Sequence, residues 1–348
     1  MKRRDFLSIL GVSALPTLLP TTWGEESPDR PVLDKIEGCW FEFQHPSFTE
    51  TKYWNADLLL FTAEQWEDKI REIAACGMRY LVLFDVAAYD QTFYPSELRP
   101  QFRLGCDDPL ETVLTAADKH DLMFFVANDF FGNWRDSLEM MSDDDVHRLR
   151  VKAMHELVSK YGRHKSFYGW YYPNETGIRE HYEDLYIHYV NRCSAEARKL
   201  TPQGKILIAP YGTRNISFDD RYLDQLHRLD VDYIAYQDEV GVQKTQVEEL
   251  PAIFENLRKI HEKAGRSKLW ADVEIFAFSG EAYTSNPGPA PSERVIKQLE
   301  AVAPFVEKIL IYEYIGLLNR PGSKSFAGNP ESTQLYQDLL KSKWIEEC

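Results

Sequence analysis

The sequence predicts one α/β domain folded as a single (β/α)8 barrel of the TIM type. From residue 35 onward, short β-rich runs alternate with longer amphipathic stretches, which implies parallel strands joined by helical crossovers. The alternation repeats about eight times, the number that closes a barrel. Several runs are almost wholly apolar or aromatic, such as Leu81-Val82-Leu83-Phe84 and Ile309-Leu310-Ile311-Tyr312, as expected of strands buried on both faces. The first run leads into Glu42-Phe43-Gln44-His45-Pro46. An open nucleotide-binding sheet would place a glycine-rich phosphate loop there.

Expected strands cover residues 36–43, 80–86, 123–128, 167–172, 205–210, 233–237, 268–274 and 308–314. The stretch 62–76 reads as a helix, with Thr62 as N-cap and Gln65 three residues on in capping-box register, and Gly77 at its end. Residues 142–161 open on Ser142 and close at Gly162, and 247–264 close at Gly265. Residues 292–302 start from Ser292, and a short last helix covers 331–340. The Gly-, Pro- and Ser-rich stretch 279–291 is a loop after the seventh strand, placed where it could cover a site. The histidines His155, His181 and His188 fall on expected helices.

The chain of 348 residues is 44% hydrophobic and 13% aromatic, with a formal net charge of −15. So acidic a surface makes a nucleic-acid partner unexpected, because phosphate binding needs a basic face. The five cysteines include no CxxC pair, so neither a zinc site nor a dense disulfide framework is expected. Cys39, Cys76 and Cys193 lie in apolar contexts and read as core residues. Near the start, Lys2-Arg3-Arg4-Asp5-Phe6-Leu7 precedes a modest apolar run interrupted by Pro16 and Pro20. Residues 1–30 therefore resemble a twin-arginine export signal and linker, with residues 31–348 forming the barrel. A periplasmic or secreted location follows, with no membrane attachment once the signal is removed. The apolar stretch is too short to span a bilayer.

Chemistry on a barrel sits at the C-terminal ends of its strands. The candidates there are Glu42, Gln44 and His45 after the first strand, Asp85 after the second, and Asn128 with Asp129 after the third. Asn174 and Glu175 follow the fourth, Tyr211 the fifth, and Gln237, Asp238 and Glu239 the sixth. Glu274 ends the seventh strand, and Glu313 with Tyr314 the eighth. Carboxylates gathered on one rim raise one another's pKa, which keeps one of them protonated near neutrality. Glycosidic cleavage uses that division between one acid and one carboxylate. Trp134, Trp170, Tyr172, Tyr211, Tyr236, Trp270 and Tyr314 are candidate stacking platforms for sugar rings.

The segment Gly169-Trp170-Tyr171-Tyr172-Pro173-Asn174-Glu175 resembles clan A of the retaining glycoside hydrolases. That clan is built on this barrel, with an Asn-Glu pair ending strand four and a nucleophilic Glu ending strand seven. The resemblance makes Glu175 the acid/base and Glu274 the nucleophile, with carbohydrate as substrate and no metal or organic cofactor required. Asn174 would donate to the sugar 2-hydroxyl, a bond that strengthens in the transition state.

Over roughly residues 34–320 the layout also resembles the bacterial family of domain of unknown function 4434, described as glycoside-hydrolase-like. The likeness rests on the same strand-four segment, on Tyr236-Gln237-Asp238-Glu239-Val240-Gly241 and on Trp270-Ala271-Asp272-Val273-Glu274. The strand-six segment departs from the clan pattern of His or Tyr, so Asp238 or Glu239 competes with Glu274 for the second catalytic place. Two further readings stay open: a carbohydrate-binding barrel without catalysis, and a metal-dependent hydrolase using Asp85, Asp129 and Asp238. The oligomeric state cannot be read from the sequence.

Overall fold

The computed structural model describes residues 32–47, 50 and 58–347. The export-signal expectation for residues 1–30 lies outside the described residues, as does Cys348. Among the described residues no helix is long and apolar enough to cross a membrane.

Eight parallel strands close into a barrel: β1 (Gly38–Phe41), β2 (Tyr80–Leu83), β3 (Met123–Ala127), β4 (Phe167–Tyr171), β5 (Lys205–Ile208), β6 (Tyr233–Gln237), β7 (Lys268–Glu274) and β8 (Lys308–Tyr312). Gly38 pairs with both Tyr80 and Leu310, which joins the last strand to the first. A main helix follows each strand: α1 (Ala63–Ala75), α2 (Pro109–Lys119), α3 (Asp144–Tyr161), α4 (Asp184–Leu200), α5 (Asp220–Arg228), α6 (Leu250–Ala264), α7 (Ser292–Val302) and α8 (Ser332–Lys341).

The helix ends follow local chemistry. Thr62 and Gln65 form the expected reciprocal capping box on α1, and Gly77 takes a positive φ of 86° just beyond it. Gly265 ends α6 at φ 60° in the left-handed region that glycine enters without strain. The expected start of α3 at Ser142 is displaced. Ser142 closes a short preceding helix through its hydroxyl bond to the Leu138 carbonyl. Asp143 is the true N-cap, its carboxylate accepting from the amides of Asp145 and Val146. His155 and His188 lie on helices as expected, but His181 does not: it occupies an isolated bridge with Arg179 and faces the Asp219 carboxylate.

The barrel is filled by side chains of alternate strand positions, and its eight strands bury nearly all their apolar residues. At the N-terminal end Trp270 stacks on Tyr233 with ring centroids 4.2 Å apart, and Tyr80 and Phe125 meet its edges. At the C-terminal end Tyr171 packs between Trp40 and Phe84, and Phe84 touches Tyr312. Among the described residues, Cys39, Cys76, Cys106 and Cys193 are buried and form no disulfide, consistent with a core role. Most expected strands overran the hydrogen-bonded ladder at their C-terminal ends. The surplus residues form the loops of the functional rim.

Candidate active site

A cleft of about 230 Å³ opens at the C-terminal end of the barrel. Its carboxylates are Glu50, Glu175, Asp272 and Glu274. Phe84, Trp134, Phe276, Phe278, Tyr283 and Tyr312 supply aromatic wall, and His45 and Gln237 add polar groups. An apolar surround with a few convergent polar groups is the usual make-up of a small-molecule site.

Glu175 follows β4 and is held from both sides. The Tyr171 hydroxyl donates to its Oε1 at 2.6 Å and the Gln237 amide to its Oε2 at 2.7 Å. Burial nevertheless outweighs these bonds and pushes its pKa up to about 7. A carboxylic acid so poised is protonated in about half the molecules at neutrality.

Glu274 ends β7 and is 4% exposed. Its Oε2 accepts from the Val242 amide at 2.9 Å. Burial and the neighbouring Asp238 carboxylate raise its pKa well above the usual range, and the Val242 bond and Arg294 oppose that rise. Arg294 lies behind the strand, donating to the backbone carbonyls of Glu274 and Phe276. Gly241 makes room for Glu274: a Cβ there would stand 2.8 Å from Glu274 Oε2 and 2.9 Å from the Phe276 ring.

Asp272 faces the same cleft from two positions earlier on β7, the spacing that returns a strand to one face. It pairs in register with Gln237, and Glu274 with Tyr312, so the two carboxylates occupy successive levels of the interior. Burial, then the charges of Glu175, Glu274 and Asp238, hold Asp272 well above the usual carboxylate range.

The two residues expected to compete with Glu274 do other work. Asp238 accepts from the amides of Val240 and Glu274 and from the Gln298 side chain. Burial raises its pKa to about 6. Glu239 accepts at Oε2 from the amides of Gly212 and Thr213 and pairs with Lys244. Neither lines the cleft.

Several expected binding residues also belong elsewhere. Trp170 is buried with its indole donating to Thr201 at 2.8 Å. Tyr236 bonds Tyr222 and His261 on the outer side of its strand. Trp270 plugs the opposite end of the barrel. Tyr172 bonds Ser194, and Tyr314 reaches Cys76. Tyr211 is half-buried beside Gly177 and under Lys244, outside the cleft wall. Glu42, Asp85, Asn128 and Glu313 are fully buried and also outside it. Burial drives the three acids well above the usual range, and Glu42 lies against Glu313, where two carboxyls can bond only by sharing a proton. Asn174 is 2% exposed, and its amide nitrogen has no protein acceptor. Among the candidates only His45, Glu175, Gln237 and Glu274 line the cleft, joined by Trp134 from the stacking candidates. His45 is neutral: burial lowers its pKa to about 4, and its Nδ1 accepts from the Ser47 amide.

Asp129 forms a fully buried ion pair with Arg150, whose guanidinium also donates to the Met140 carbonyl. With Asp129 and Asp238 committed in this way, the trio with Asp85 does not converge. Among the described residues no three His, Cys, Asp or Glu groups are disposed to hold a metal ion. Removing one partner of a buried pair leaves an uncompensated charge. Arg150→Met is therefore expected to lower unfolding stability by about 3–5 kcal/mol in denaturant titration. Adding Asp129→Asn to it should restore much of that loss.

The model for a domain of unknown function, DUF4434, matches residues 36–325. The chain belongs to the DUF4434 family. No curated protein matches this DUF4434 member. Solved structures share its fold. A protein from Bacteroides thetaiotaomicron VPI-5482, provisionally named an alpha-L-fucosidase, aligns at 17% identity and TM-score 0.70 over 90% of this chain and 96% of its own. The endo-beta-1,4-mannanase from Thermotoga petrophila aligns at 10% identity and TM-score 0.57, covering 89% of this chain and 77% of its own. The endo-1,4-beta-mannanase from Rhizomucor miehei aligns at 8% identity and TM-score 0.54, covering 88% and 94%. At these identities the likeness is one of fold, and the DUF4434 barrel owes its site reading to its own side chains.

Proposed function

We propose that this DUF4434 barrel is a glycoside hydrolase acting with retention, with Glu175 as acid/base and Glu274 as nucleophile. One observation carries the reading. Carboxyl groups from the ends of β4 and β7 line a single aromatic-walled cleft, and one of them is poised at a pKa of about 7. The fold neighbours that carry glycosidase names support it.

In this reading a sugar ring lies against the aromatic wall, with the scissile oxygen facing Glu175. Glu175 gives its proton to the leaving oxygen while Glu274 attacks the anomeric carbon. The negative charge left on Glu175 is stabilised by Tyr171 and Gln237, its two donors. Asn174 precedes the acid in the chain but is buried outside the cleft lining, so the sugar contact expected of it is not part of this reading. Glu175 then removes a proton from water, which releases the sugar from Glu274. The oxocarbenium-like charge formed on the way favours an ionised Glu274, opposing the burial and the Asp238 charge that hold its pKa up.

The test is hydrolysis of a panel of aryl glycosides and oligosaccharides, with the anomer of the first product followed by NMR. Turnover with a retained anomer is expected. Turnover with inversion removes the nucleophile role of Glu274, and binding without turnover removes the hydrolase reading. Tyr171→Phe supplies a finer check. That hydroxyl bond favours the ionised form of Glu175. Its loss should move the basic limb of kcat/KM upward by about one pH unit. We also propose export through the segment Arg3-Arg4. Arg3→Lys with Arg4→Lys should leave the protein inside a host that carries the twin-arginine pathway, as read by cell fractionation.

A further inference from the structure

We propose that Asp272 is the carboxylate that recognises the ligand in this cleft, and that the cleft takes an uncharged sugar ring while rejecting uronic and sulfated sugars. The proposal rests on the glycosidase reading for its ligand class, but its own evidence is separate.

Asp272 is 2% exposed, lines the cleft, and keeps a buried Oδ1 with no hydrogen-bond partner in the protein. A buried polar atom left in that state is costly unless something completes it. The groups around it cannot. Glu175 is already held by Tyr171 and Gln237, and Glu274 by Val242. Among the described residues no Lys or Arg lines the cleft, and the histidine there is neutral. A ligand hydroxyl, which both donates and accepts, completes it in either protonation state of Asp272.

The neighbouring acids disfavour a ligand anion. Glu50, Glu175 and Glu274 share the wall with Asp272. A ligand carboxylate or sulfate would give up its water in a cleft where no described cation receives it and where any wall acid that ionises repels it. Sugar hydroxyls complete the site without the charge. The depth of Asp272, one level below Glu274, sets its reach. With the anomeric carbon at Glu274, Asp272 meets a hydroxyl on the face of the ring turned into the barrel. The aromatic wall of Phe276, Tyr312 and Trp134 covers the apolar faces of the same ring.

The experiment titrates the intact protein by calorimetry with non-hydrolysable aryl thioglycosides in matched pairs. The pairs are glucoside with glucuronide and galactoside with galacturonide, together with a mannoside and a fucoside. At least one neutral thioglycoside should bind, and the uronide of a binding pair should bind at least about tenfold more weakly. Asp272→Asn should weaken the neutral ligand by about 10- to 100-fold, the range for one buried hydrogen bond left unmade. Its melting temperature should not fall, since a buried repulsive carboxyl has been removed. A uronide that binds as tightly as its neutral partner overturns the proposal even if the variant fails to fold. So does unchanged affinity in Asp272→Asn, or binding of no neutral sugar. Asp272-dependent binding without cleavage of any O-glycoside leaves this proposal standing and rejects the hydrolase.

Discussion

Glu175→Gln is expected to lower kcat by about 10²–10⁴-fold on glycosides whose leaving group is a sugar or simple alcohol. Such leaving groups depart as poor anions unless a proton arrives with the bond cleavage, and Gln has none to give. Glycosides with a strongly acidic phenol as leaving group need no proton, so their first step should survive. Their slow release from the enzyme should then be accelerated by added azide, which attacks without a general base. The pH profile adds a second mark. The acid must carry its proton, so the wild-type rate should fall as pH rises through about 7, the value set by burial of Glu175. That basic limb should disappear in the variant. A variant with wild-type rates and an unchanged limb would take Glu175 out of the chemistry.

Glu274→Ala is expected to cost more, on the order of 10⁴-fold or beyond, because the proposed covalent bond to the anomeric carbon is formed by its carboxylate. A fluorinated glycoside that forms the intermediate quickly and loses it slowly should leave its mass on the peptide containing Glu274. The adjacent acids make that location a sharp test. Asp272 shares the cleft from two residues earlier, while Asp238 spends its oxygens on Val240, Glu274 and Gln298. Label on Asp272 would exchange the two roles on β7. Label on Asp238 would mean that the loop after β6 rearranges when ligand binds.

The barrel was legible because strands buried on both faces write themselves as apolar runs, and Leu81-Val82-Leu83 and Ile309-Leu310-Ile311 do so without interruption. The rim was legible only in part. Strand ends place a residue at the rim, but the loop backbone decides where its side chain points. Glu239 sits at φ 55°, and that turn carries its carboxylate back to the Gly212 and Thr213 amides. No spacing rule reveals such a reversal. Trp270 shows no such limit. It shares the two-residue alternation of Asp272 and Glu274, so its inward direction was readable. Its height was readable as well, since the expected strand 268–274 sets it near the N-terminal end, and the register with Lys308 bears that position out. The aromatic wall left a signal that went unread: Phe276-Ala277-Phe278 alternates as a short strand does, ahead of Pro287-Gly288-Pro289, its antiparallel partner.

That small hairpin, Phe276–Phe278 with Pro287–Pro289, is the direct continuation of β7. One residue, Ile275, separates Glu274 from the first aromatic of the wall. Arg294 grips the carbonyl on each side of that joint, and Gly241 presses against both residues it connects. The wall is thus no independent flap. A bulky guest that levers Phe276 and Phe278 outward would also drag the Glu274 carboxyl, the proposed nucleophile. Small guests that fit the existing gap leave the alignment intact, so under the proposed reading chain length would be screened by the same peptide that aims Glu274.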